Sequence, residues 1–316
     1  MSSSPLISIC IPAYKNVVYL ERLFQSIQSQ TFQDYEVVVT DDSPDDAVGK
    51  LIDQYRPSLP ISYYRNATPL GSPANWNAAI AHATGRWIKI MHDDDWFADE
   101  HSLAVFANAT MQTKAVFIFS GFVNVQLETG EQQSFVLSSS QEQMLRRNPL
   151  YLFRTNYVGH PSTTLIKNEL KQWFDESIKW VVDFEFYIRV LREHSFYAVK
   201  QPLIHIGIGS EQITKASFRK REVELPENFY LLHKLGAQAL SYFFVYDYYW
   251  RLMRNLKIKT TVELEEYVQL HHVPAVIKSM ISWQQKLGVD ALKKYGAYSK
   301  ICMSIHYALH SPGKKQ

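Results

Sequence analysis

The chain has 316 residues, of which 46% are hydrophobic and 20% are charged, and its formal net charge is +2. This length and composition predict a globular protein, with one α/β domain and a smaller appendage as a reasonable arrangement. So small a charge excludes the basic bias typical of phosphate-backbone binding, and we expect no nucleic-acid partner.

Short β-rich runs alternate with helical segments over the first part of the chain. The predicted strands are Ile7–Ile11, Glu36–Thr40, Ile61–Tyr64 and Trp87–Met91. This alternation is typical of βαβ units, so it predicts an α/β fold with a mostly parallel sheet. Between the first two strands, four apolar residues recur at helical spacing, namely Leu20, Leu23, Phe24 and Ile27. Ser72 and Pro73 predict the capped start of a helix that reaches Ala83.

The elements after Asp95 are less regular. The pattern predicts a helix at Ser102–Met111, strands at Ala115–Ser120 and Val123–Leu127, a hairpin turn at Glu128–Glu131, a helix at Val181–Glu193 and a strand at Pro202–Ile206. Beyond Pro226 the pattern is helical, with breaks near Lys257–Thr260, Pro274 and Gly288. We therefore predict a main α/β domain at residues 1–225 and a helical C-terminal region at residues 226–316.

Acidic residues follow two of the four predicted strands, where ligands bind in an open parallel sheet. Asp41 and Asp42 follow the second strand, and Asp93, Asp94 and Asp95 follow the fourth. Adjacent carboxylates repel one another unless a cation or hydrogen-bond donors compensate, so the triplet indicates a site for Mn²⁺ or Mg²⁺. Alternate residues leaving a strand point the same way, which favours Asp93 and Asp95 over Asp94 as direct metal ligands.

Each acidic segment also has a simpler interpretation. The triplet alone fits a solvated turn about equally well, with Asp95 capping the next helix. Asp41 and Asp42, followed by Ser43 and Pro44, are likewise good turn and N-cap residues. Their position at strand ends, rather than their acidity, favours a functional site.

Several motifs occur in the order and type of one large family. Pro12-Ala13-Tyr14-Lys15-Asn16 follows the first strand, Asp41-Asp42-Ser43 the second, and Met91-His92-Asp93-Asp94-Asp95-Trp96 spans the end of the fourth. Gly159-His160-Pro161-Ser162 and Asp183-Phe184-Glu185-Phe186 come later. Together they resemble the inverting glycosyltransferases of the GT-A fold, glycosyltransferase family two, over about residues 6–212. The chain departs from the family's motifs at two points: one residue is inserted before Asn16, and Ser43 replaces the usual glycine.

The resemblance implies an enzyme of GT-A fold that transfers a sugar from a nucleotide-sugar. It implies that Asp95 and Asp93 hold the metal. It assigns nucleotide binding to Pro12, Ala13, Tyr14, Asp41, Asp42, Asn75 and Asp94. The ring of Tyr14 can stack on a base and the carboxylate of Asp42 can accept an imide hydrogen, which favours UDP-sugars.

The catalytic base implied by the resemblance is Asp183, at the start of the helix predicted from Val181. Inverting transfer needs a base that takes the proton from the acceptor hydroxyl. From its residue type alone, Asp183 would more simply stabilise the helix start. Glu185 and Arg189 have the spacing of a helix ion pair, so we predict a structural role for them.

Three further side chains are candidates for contact with the acceptor or donor sugar. They are His160, Trp96 and His205. A lone histidine such as His160 is more often structural, and Trp96 is expected to pack beside the acidic segment. His205, near the end of a late strand, is also a candidate for a further metal ligand.

The cellular setting follows from weaker signals. The only cysteines are Cys10 and Cys302, and no basic segment with an apolar core opens the chain, so we expect a cytoplasmic protein. The stretch Tyr246–Lys259 could rest on a membrane that carries a lipid-linked acceptor, although packing of this helix onto the protein is favoured. The oligomeric state is not predicted.

The expected function is sugar transfer to a hydroxyl of a saccharide or lipid-linked acceptor, in surface polysaccharide synthesis. Two alternatives stay open: a non-catalytic nucleotide-sugar-binding relative and a sugar nucleotidyltransferase. The retained acids Asp42, Asp93, Asp95 and Asp183 argue against the first alternative. The turn at residues 12–16 contains no glycine, which argues against the phosphate loop of the second.

Overall fold

The computed structural model describes residues 4–170, 173–209, 219–268 and 273–313. The chain divides into two compact units. The first comprises the described residues up to Pro149 and those from Tyr157 to Gly209, and the second comprises Leu150–Asn156 and the described residues from Arg219 onward. The domain boundary between residues 225 and 226 stays a prediction, and it falls inside a helix that spans Arg221–Leu235.

The first unit is built on one mixed β-sheet. Its described strands are β1 Ile7–Ala13, β2 Tyr35–Asp41, β3 Ile61–Arg65, β4 Trp87–Ile90, β5 Trp96–Phe97, β6 Phe117–Gln126, β7 Gln132–Phe135, β8 Thr164–Lys167 and β9 Phe196–Ile208. Their order is β3-β2-β1-β4-β8-β6-β9-β5, and β7 pairs with β6. The first four strands of this order are mutually parallel, which confirms the four predicted strands. The antiparallel strand β8 joins them to the parallel pair β6 and β9.

Helices connect the strands of this unit. They are α1 Val17–Gln28, α2 Ala47–Tyr55, α3 Ala74–Ala81, α4 Ser102–Gln112, α5 Ser139–Arg147 and α6 Val182–Glu193. α1 buries the four apolar residues predicted from their spacing, so that prediction is confirmed. Their side chains join a core that includes Ile9, Ile11, Val37 and Phe106, and burial of this apolar surface stabilises the βα layers.

The predicted start of α3 is wrong. Pro73, not Ser72, occupies the N-cap position, and no side-chain cap hydrogen bond forms there. The first turn closes instead through the backbone, because the amide of Asn75 donates to the carbonyl of Gly71 at 2.8 Å. The helix ends at Ala81, before the predicted Ala83, since the amide of Ala83 turns to the Ile80 carbonyl at 3.0 Å.

The predicted break between two strands near residue 121 is also wrong. β6 runs continuously through Gly121 and Phe122, with irregular register against β9 at that point. A Cβ atom at Gly121 would lie 2.6 Å from the carbonyl oxygen of Phe135. Glycine here permits a close approach of backbones within a strand rather than ending the strand. The predicted strand Pro202–Ile206 is the middle of the longer β9.

The described residues of the second unit after residue 218 form helices and no strand. They are α7 Arg221–Leu235, α8 Phe243–Asn255, α9 Thr261–Glu265, α10 Ala275–Leu287, α11 Val289–Lys294 and α12 Gly296–His310, with a 3-10 turn at Ala237–Ser241. The predicted helical breaks are confirmed. α8 buries Tyr246, Tyr249 and Trp250, so the favoured prediction that this helix packs onto the protein is confirmed. In the part of the chain that the structure describes, no helix is long and apolar enough to cross a bilayer.

Candidate functional site

Asp41 lies fully buried at the end of β2. Its Oδ1 accepts a hydrogen bond from the backbone amide of Ser43 at 2.8 Å, and its Oδ2 accepts one from the Tyr63 hydroxyl at 2.7 Å. Burial and these contacts with Asp41 raise the pKa of Tyr63. Asp41 therefore fixes the turn after β2, and its assignment to the nucleotide stays a prediction.

Asp42 organises the loop that precedes α3. Its Oδ1 accepts hydrogen bonds from Asn66 Nδ2 at 2.8 Å and from the Leu70 amide at 3.0 Å, and its Oδ2 accepts one from the Gly71 amide at 2.8 Å. Three donors thus hold a carboxylate that is almost fully buried. The orientation of Asp42 is set by the protein, and its contact with a base stays a prediction.

Asn75 connects this loop to the ends of two strands. Its Nδ2 donates to the carbonyls of Thr40 at 3.3 Å and Ala13 at 3.5 Å, and its Oδ1 accepts from Asn66 at 3.0 Å. Asn75 is itself buried, so these contacts support the loop, and its assignment to the nucleotide stays a prediction. They bring the ends of β1 and β2 together with the loop that Asp42 holds.

Tyr14 presents its ring beside this framework. The side chain is 49% exposed, and the ammonium of Lys15 lies 4.7 Å from the ring centroid. Lys15 has a positive φ of 62°, and its amide donates to the Ser43 hydroxyl at 2.7 Å. The strand therefore ends at a fixed turn, after Pro12 and the buried Ala13, that leaves one aromatic face accessible.

Asp95 is the most deeply buried residue of the acidic triplet, with 2% of its surface exposed. It accepts hydrogen bonds from the Ser162 hydroxyl and from the backbone amide of Gly207, the latter at 3.3 Å. Burial raises the pKa of Asp95 well above its usual range, and the neighbouring charge of Asp94 raises it further. The side chain is thus held from β9 and from the segment before β8.

Asp93 points towards β1. Its carboxylate accepts a hydrogen bond from the backbone amide of Tyr14. Burial, followed by repulsion from Asp94, raises the pKa of Asp93 to about 7. This contact joins the acidic triplet to the residues predicted to hold the nucleotide.

The described side chains best placed to share a metal ion are those of His92, Asp94 and Asp95. One ligand atom from each lies within 4.8 Å of the other two. The Nε2 atom of His92 is buried and has no hydrogen-bond partner. Two carboxylates and an imidazole suit Mn²⁺, and the oxygen ligands suit Mg²⁺. The predicted pair was Asp93 and Asp95, so this group retains Asp95 and adds Asp94 and His92, and the assignment of Asp93 stays a prediction.

The sequence did not indicate the role of Lys89 in the buried strand β4. Its ammonium is fully buried, donates to the Ser162 carbonyl and interacts with Asp95. Burial lowers the pKa of Lys89 to about 7. The Ser162 hydroxyl also accepts from the His92 amide at 3.0 Å. A lysine between two isoleucines of a four-residue strand was the signal that could have revealed this support.

Arg22 of α1 also holds the acidic segment, and the sequence did not reveal it. Its Nη2 donates to the backbone carbonyl of Asp94 at 2.8 Å, and its guanidinium lies 3.7 Å from the ring centroid of Trp96. On the other side, Trp96 pairs with His205 across β5 and β9, with ring centroids 5.2 Å apart. Trp96 therefore packs beside the acidic segment, and its contact with sugar stays a prediction.

The two histidines proposed for sugar contact lie in different surroundings. His160 packs edge-on against Phe122 at 5.8 Å, and burial lowers its pKa against the smaller opposing effect of the nearby Asp94. The Nδ1 atom of His205 is buried without a hydrogen-bond partner. Among the described residues, the group that can share a metal ion does not include His205. Both roles stay predictions.

Asp183 lies in the first turn of α6, where its Oδ1 accepts from the Phe184 amide at 2.8 Å. The buried hydroxyl of Tyr187, one turn later, lies within electrostatic range of this carboxylate. Glu185 and Arg189 form the predicted ion pair at 2.9 Å, which is confirmed. Asp183 thus has a defined place at a helix start, and its role as a base stays a prediction.

The segment before α6 is attached to α3 by one side chain. Asn77 donates from Nδ2 to the Phe174 carbonyl at 2.8 Å and to Glu176 at 2.9 Å, and its Oδ1 accepts from the Phe174 amide at 3.2 Å. These bonds span nearly a hundred residues of sequence. They connect the helix that follows the Asp42 loop to the segment that leads into Asp183.

A match to a protein-family model shows which family this chain belongs to. Residues 8–172, just over half of the chain, match the model described as glycosyl transferase family 2. The chain belongs to glycosyl transferase family 2. It is therefore a transferase, as the sequence predicted.

Individual relatives of this family 2 chain agree with the assignment. An uncharacterised glycosyltransferase of Rickettsia prowazekii is 25% identical over 229 residues, which cover 69% of each chain. A GalNAc(5)-diNAcBac-PP-undecaprenol β-1,3-glucosyltransferase of Campylobacter jejuni is 32% identical over 93 residues, which cover 29% of this chain and 30% of its own. The crystal structure of S. aureus TarS 1-349 has a TM-score of 0.61 and 19% identity, covering 96% of this chain and 89% of that one. The predicted GT-A fold is thereby confirmed.

Proposed function

We propose that this family 2 enzyme moves a sugar, with inversion, from a UDP-sugar to a hydroxyl of a saccharide or lipid-linked acceptor. The observation that carries the proposal is the meeting of three segments at the ends of β1, β2 and β4. There the amide of Asp42 donates to the Ala13 carbonyl at 3.1 Å, the amide of Lys15 donates to the Ser43 hydroxyl at 2.7 Å, and the amide of Tyr14 donates to Asp93 of the acidic triplet. Strand ends of this kind are where α/β sheets bind ligands.

Tyr14 and Asp42 are the residues proposed to bind the nucleotide base. The exposed Tyr14 ring can stack on a base, and the carboxylate of Asp42 is already oriented by three donors. Each carboxylate oxygen can accept more than one hydrogen bond, so an imide N–H of uracil can still be bound. The S. aureus protein has also been crystallised with UDP-GlcNAc, with a TM-score of 0.61 to this chain, which supports a uridine donor.

The residues at the end of β4 fit a divalent cation. Asp94 and Asp95 supply oxygen atoms, and the buried, unpartnered Nε2 of His92 supplies a nitrogen atom. When bound, Mn²⁺ or Mg²⁺ would stabilise negative charge on a departing diphosphate. The protein's contribution is to hold these ligands: Lys89, Ser162 and Gly207 fix Asp95, and Arg22 fixes the backbone at Asp94.

Asp183 is the proposed base that takes the proton from the acceptor hydroxyl. Its place in the first turn of α6 is fixed by the helix and by the Asn77 contacts with the preceding segment. His160 and Trp96 are proposed to contact the donor or acceptor sugar. The acceptor is proposed to be a saccharide or a lipid-linked sugar, and the name of the Campylobacter relative gives a lipid-linked acceptor for that protein. The proposed setting is surface polysaccharide synthesis at the cytoplasmic face of a membrane.

The direct test is turnover with a panel of nucleotide-sugars. The chain is incubated with UDP-, GDP- and dTDP-sugars and with Mn²⁺ or EDTA, and release of nucleoside diphosphate is followed. We expect release from at least one UDP-sugar, lowered at least about a hundred-fold by EDTA. Release that needs no metal, or none from any donor with saccharide and lipid-linked acceptors present, would refute the proposal.

A further inference from the structure

Three consecutive residues at the start of α3 contact separate parts of the candidate site. Asn75 donates to the ends of β1 and β2, and Asn77 donates to the segment before α6. Between them, the half-buried Trp76 places its ring 4.6 Å from the ring of His92, at an interplanar angle of 44°. Trp76 therefore packs against the imidazole of the group of side chains that can share a metal ion.

The ring of His92 lacks the support that a ligating histidine usually has. Such a histidine almost always donates its second ring N–H to a carboxylate, a carbonyl or a water, and this bond fixes the ring orientation. In the described part of the chain, no residue forms a hydrogen bond with the His92 ring, whose Nε2 is buried. The backbone of His92 is held instead, since its amide donates to the Ser162 hydroxyl at 3.0 Å and its carbonyl accepts from the Asp95 amide at 3.1 Å.

Trp76 can orient a neighbouring ring because its own surroundings are fixed. The ring of Phe174 packs edge-on against Trp76, with centroids 5.1 Å apart, and lies 4.4 Å from the ring of Phe186 in α6. Asn77 holds the backbone of Phe174 on both sides, donating to its carbonyl at 2.8 Å and accepting from its amide at 3.2 Å. Aromatic rings at these separations prefer defined relative orientations, so the row of rings ends on His92.

We propose that Trp76 is a positioning residue that orients the His92 ring for metal binding. Packing against the indole takes the place of the hydrogen bond that usually fixes a ligating histidine, and it leaves Nε2 available to the ion. The inference rests on the proposed function, because the metal ion is part of that proposal. It adds that α3, which follows the loop held by Asp42, also sets the geometry of a metal ligand.

The test measures how the full chain binds Mn²⁺ in the presence of UDP. Electron paramagnetic resonance titration gives the affinity, and electron spin-echo envelope modulation detects a nitrogen ligand on the ion. The unchanged chain should show nitrogen coupling, and His92→Ala should lose it. Trp76→Ala should weaken this coupling and lower the affinity for Mn²⁺ about ten-fold, as expected when the group that orients a ligand is lost.

Two further replacements of Trp76 separate the ring from the apolar volume. Trp76→Phe keeps an aromatic ring beside His92 and should retain most of the affinity for Mn²⁺ and of the nitrogen coupling. Trp76→Leu keeps apolar volume without a ring and should behave like Trp76→Ala. It also supplies a folded comparison if the smaller side chain destabilises the unit.

Tyr64→Ala is the matched control, because the ring of Tyr64 stacks on the ring of His82, at the end of the same helix, at 3.7 Å. It removes a contact between an aromatic ring and a histidine that is not among the candidate ligands, so Mn²⁺ binding should be unchanged. A double variant then tests whether Trp76 acts through His92. Trp76→Ala should lower the affinity for Mn²⁺ no further in a chain that already carries His92→Ala.

Three results would overturn the inference. They are full Mn²⁺ affinity and nitrogen coupling in Trp76→Ala, additive losses in the double variant, and Mn²⁺ binding by the unchanged chain without nitrogen coupling. Each of these leaves the proposed sugar transfer standing, with Asp94 and Asp95 as ligands. Absence of Mn²⁺ binding in the presence of UDP would instead refute the metal site of the proposed function and this inference together.

Discussion

The proposed role of Asp183 as a base can be tested by changing one atom of its side chain. Replacing Asp183 with Asn keeps the shape and the hydrogen bond accepted from the Phe184 amide but removes the proton acceptor. We expect Asp183→Asn to lower kcat by roughly 10²- to 10⁴-fold, the usual contribution of a general base, while UDP affinity stays within about two-fold. The measurements are steady-state kinetics with the best donor and calorimetric titration with UDP.

Glu193→Gln supplies the control for that variant, because Glu193 is an exposed carboxylate at the far end of the same helix. It should retain full activity. If Asp183→Asn turned over at the rate of the unchanged chain, another group would have to act as the base. Loss of UDP affinity in Asp183→Asn would instead show that the residue positions the donor.

At the residue scale, strand-end position identified the acids but not the residues that hold them. Asp41, Asp42 and Asp95 follow predicted strands, and the structure confirms that these strands are parallel and belong to one sheet, each paired with β1. Lys89 interacts with Asp95 from within β4 itself, and Arg22 contacts the backbone of Asp94 from α1. Such contacts depend on how layers pack, and no local periodicity encodes them.

Gly207 has no Cβ atom, and this allows β9 to lie close to the acidic segment. A Cβ atom on Gly207 of β9 would lie 2.4 Å from the backbone carbonyl oxygen of Asp94 and 3.3 Å from Arg22 Nη2. Because backbone cannot yield as a side chain can, Gly207→Ala should displace the acidic segment. We expect Gly207→Ala to lower the affinity for Mn²⁺ at least about ten-fold, measured by metal titration. The melting temperature, measured by calorimetry, should change little.

Gly209→Ala is the comparison, since a Cβ atom there meets only side-chain atoms, at 3.3 Å from Leu127 Cδ1 and 3.4 Å from the Tyr19 hydroxyl. Those side chains can move, so metal affinity should be nearly unchanged. Equal losses in the two variants would mean that the close approach of β9 to the acidic segment has no special importance for the site.

At the element scale, regular periodicity was reliable, and glycine and proline correctly marked the helical breaks at Pro274 and Gly288 but not the course of β6 or the start of α3. The spacing of apolar residues predicted the buried face of α1, and the outcome matched it. The predicted gap between the strands Ala115–Ser120 and Val123–Leu127 and the predicted first-turn position of Pro73 were wrong, because glycine and proline each have more than one structural use. Gly121 allows close backbone approach within β6, and Pro73 occupies the N-cap position of α3. Which use applies depends on strands and loops that are far away in sequence.

At the scale of the whole molecule, the α/β class and the helical character of the C-terminal part could be predicted. The antiparallel insertion of β8 between β4 and β6 could not, because a four-residue strand carries little pattern and its partners are distant in sequence.

We propose that the acidic segment after β4 binds a divalent cation together with a nucleoside diphosphate. The most direct measurement is an electron paramagnetic resonance titration of Mn²⁺, with and without UDP, on the unchanged chain and on Asp93→Asn, Asp94→Asn and Asp95→Asn. We predict that the chain binds Mn²⁺ more tightly when UDP is present, and that Asp94→Asn and Asp95→Asn each weaken binding at least about ten-fold. A similar loss in Asp93→Asn would add that residue to the ligands, as the sequence suggested. Unchanged Mn²⁺ binding in both Asp94→Asn and Asp95→Asn, or no binding with or without UDP, would contradict the claim.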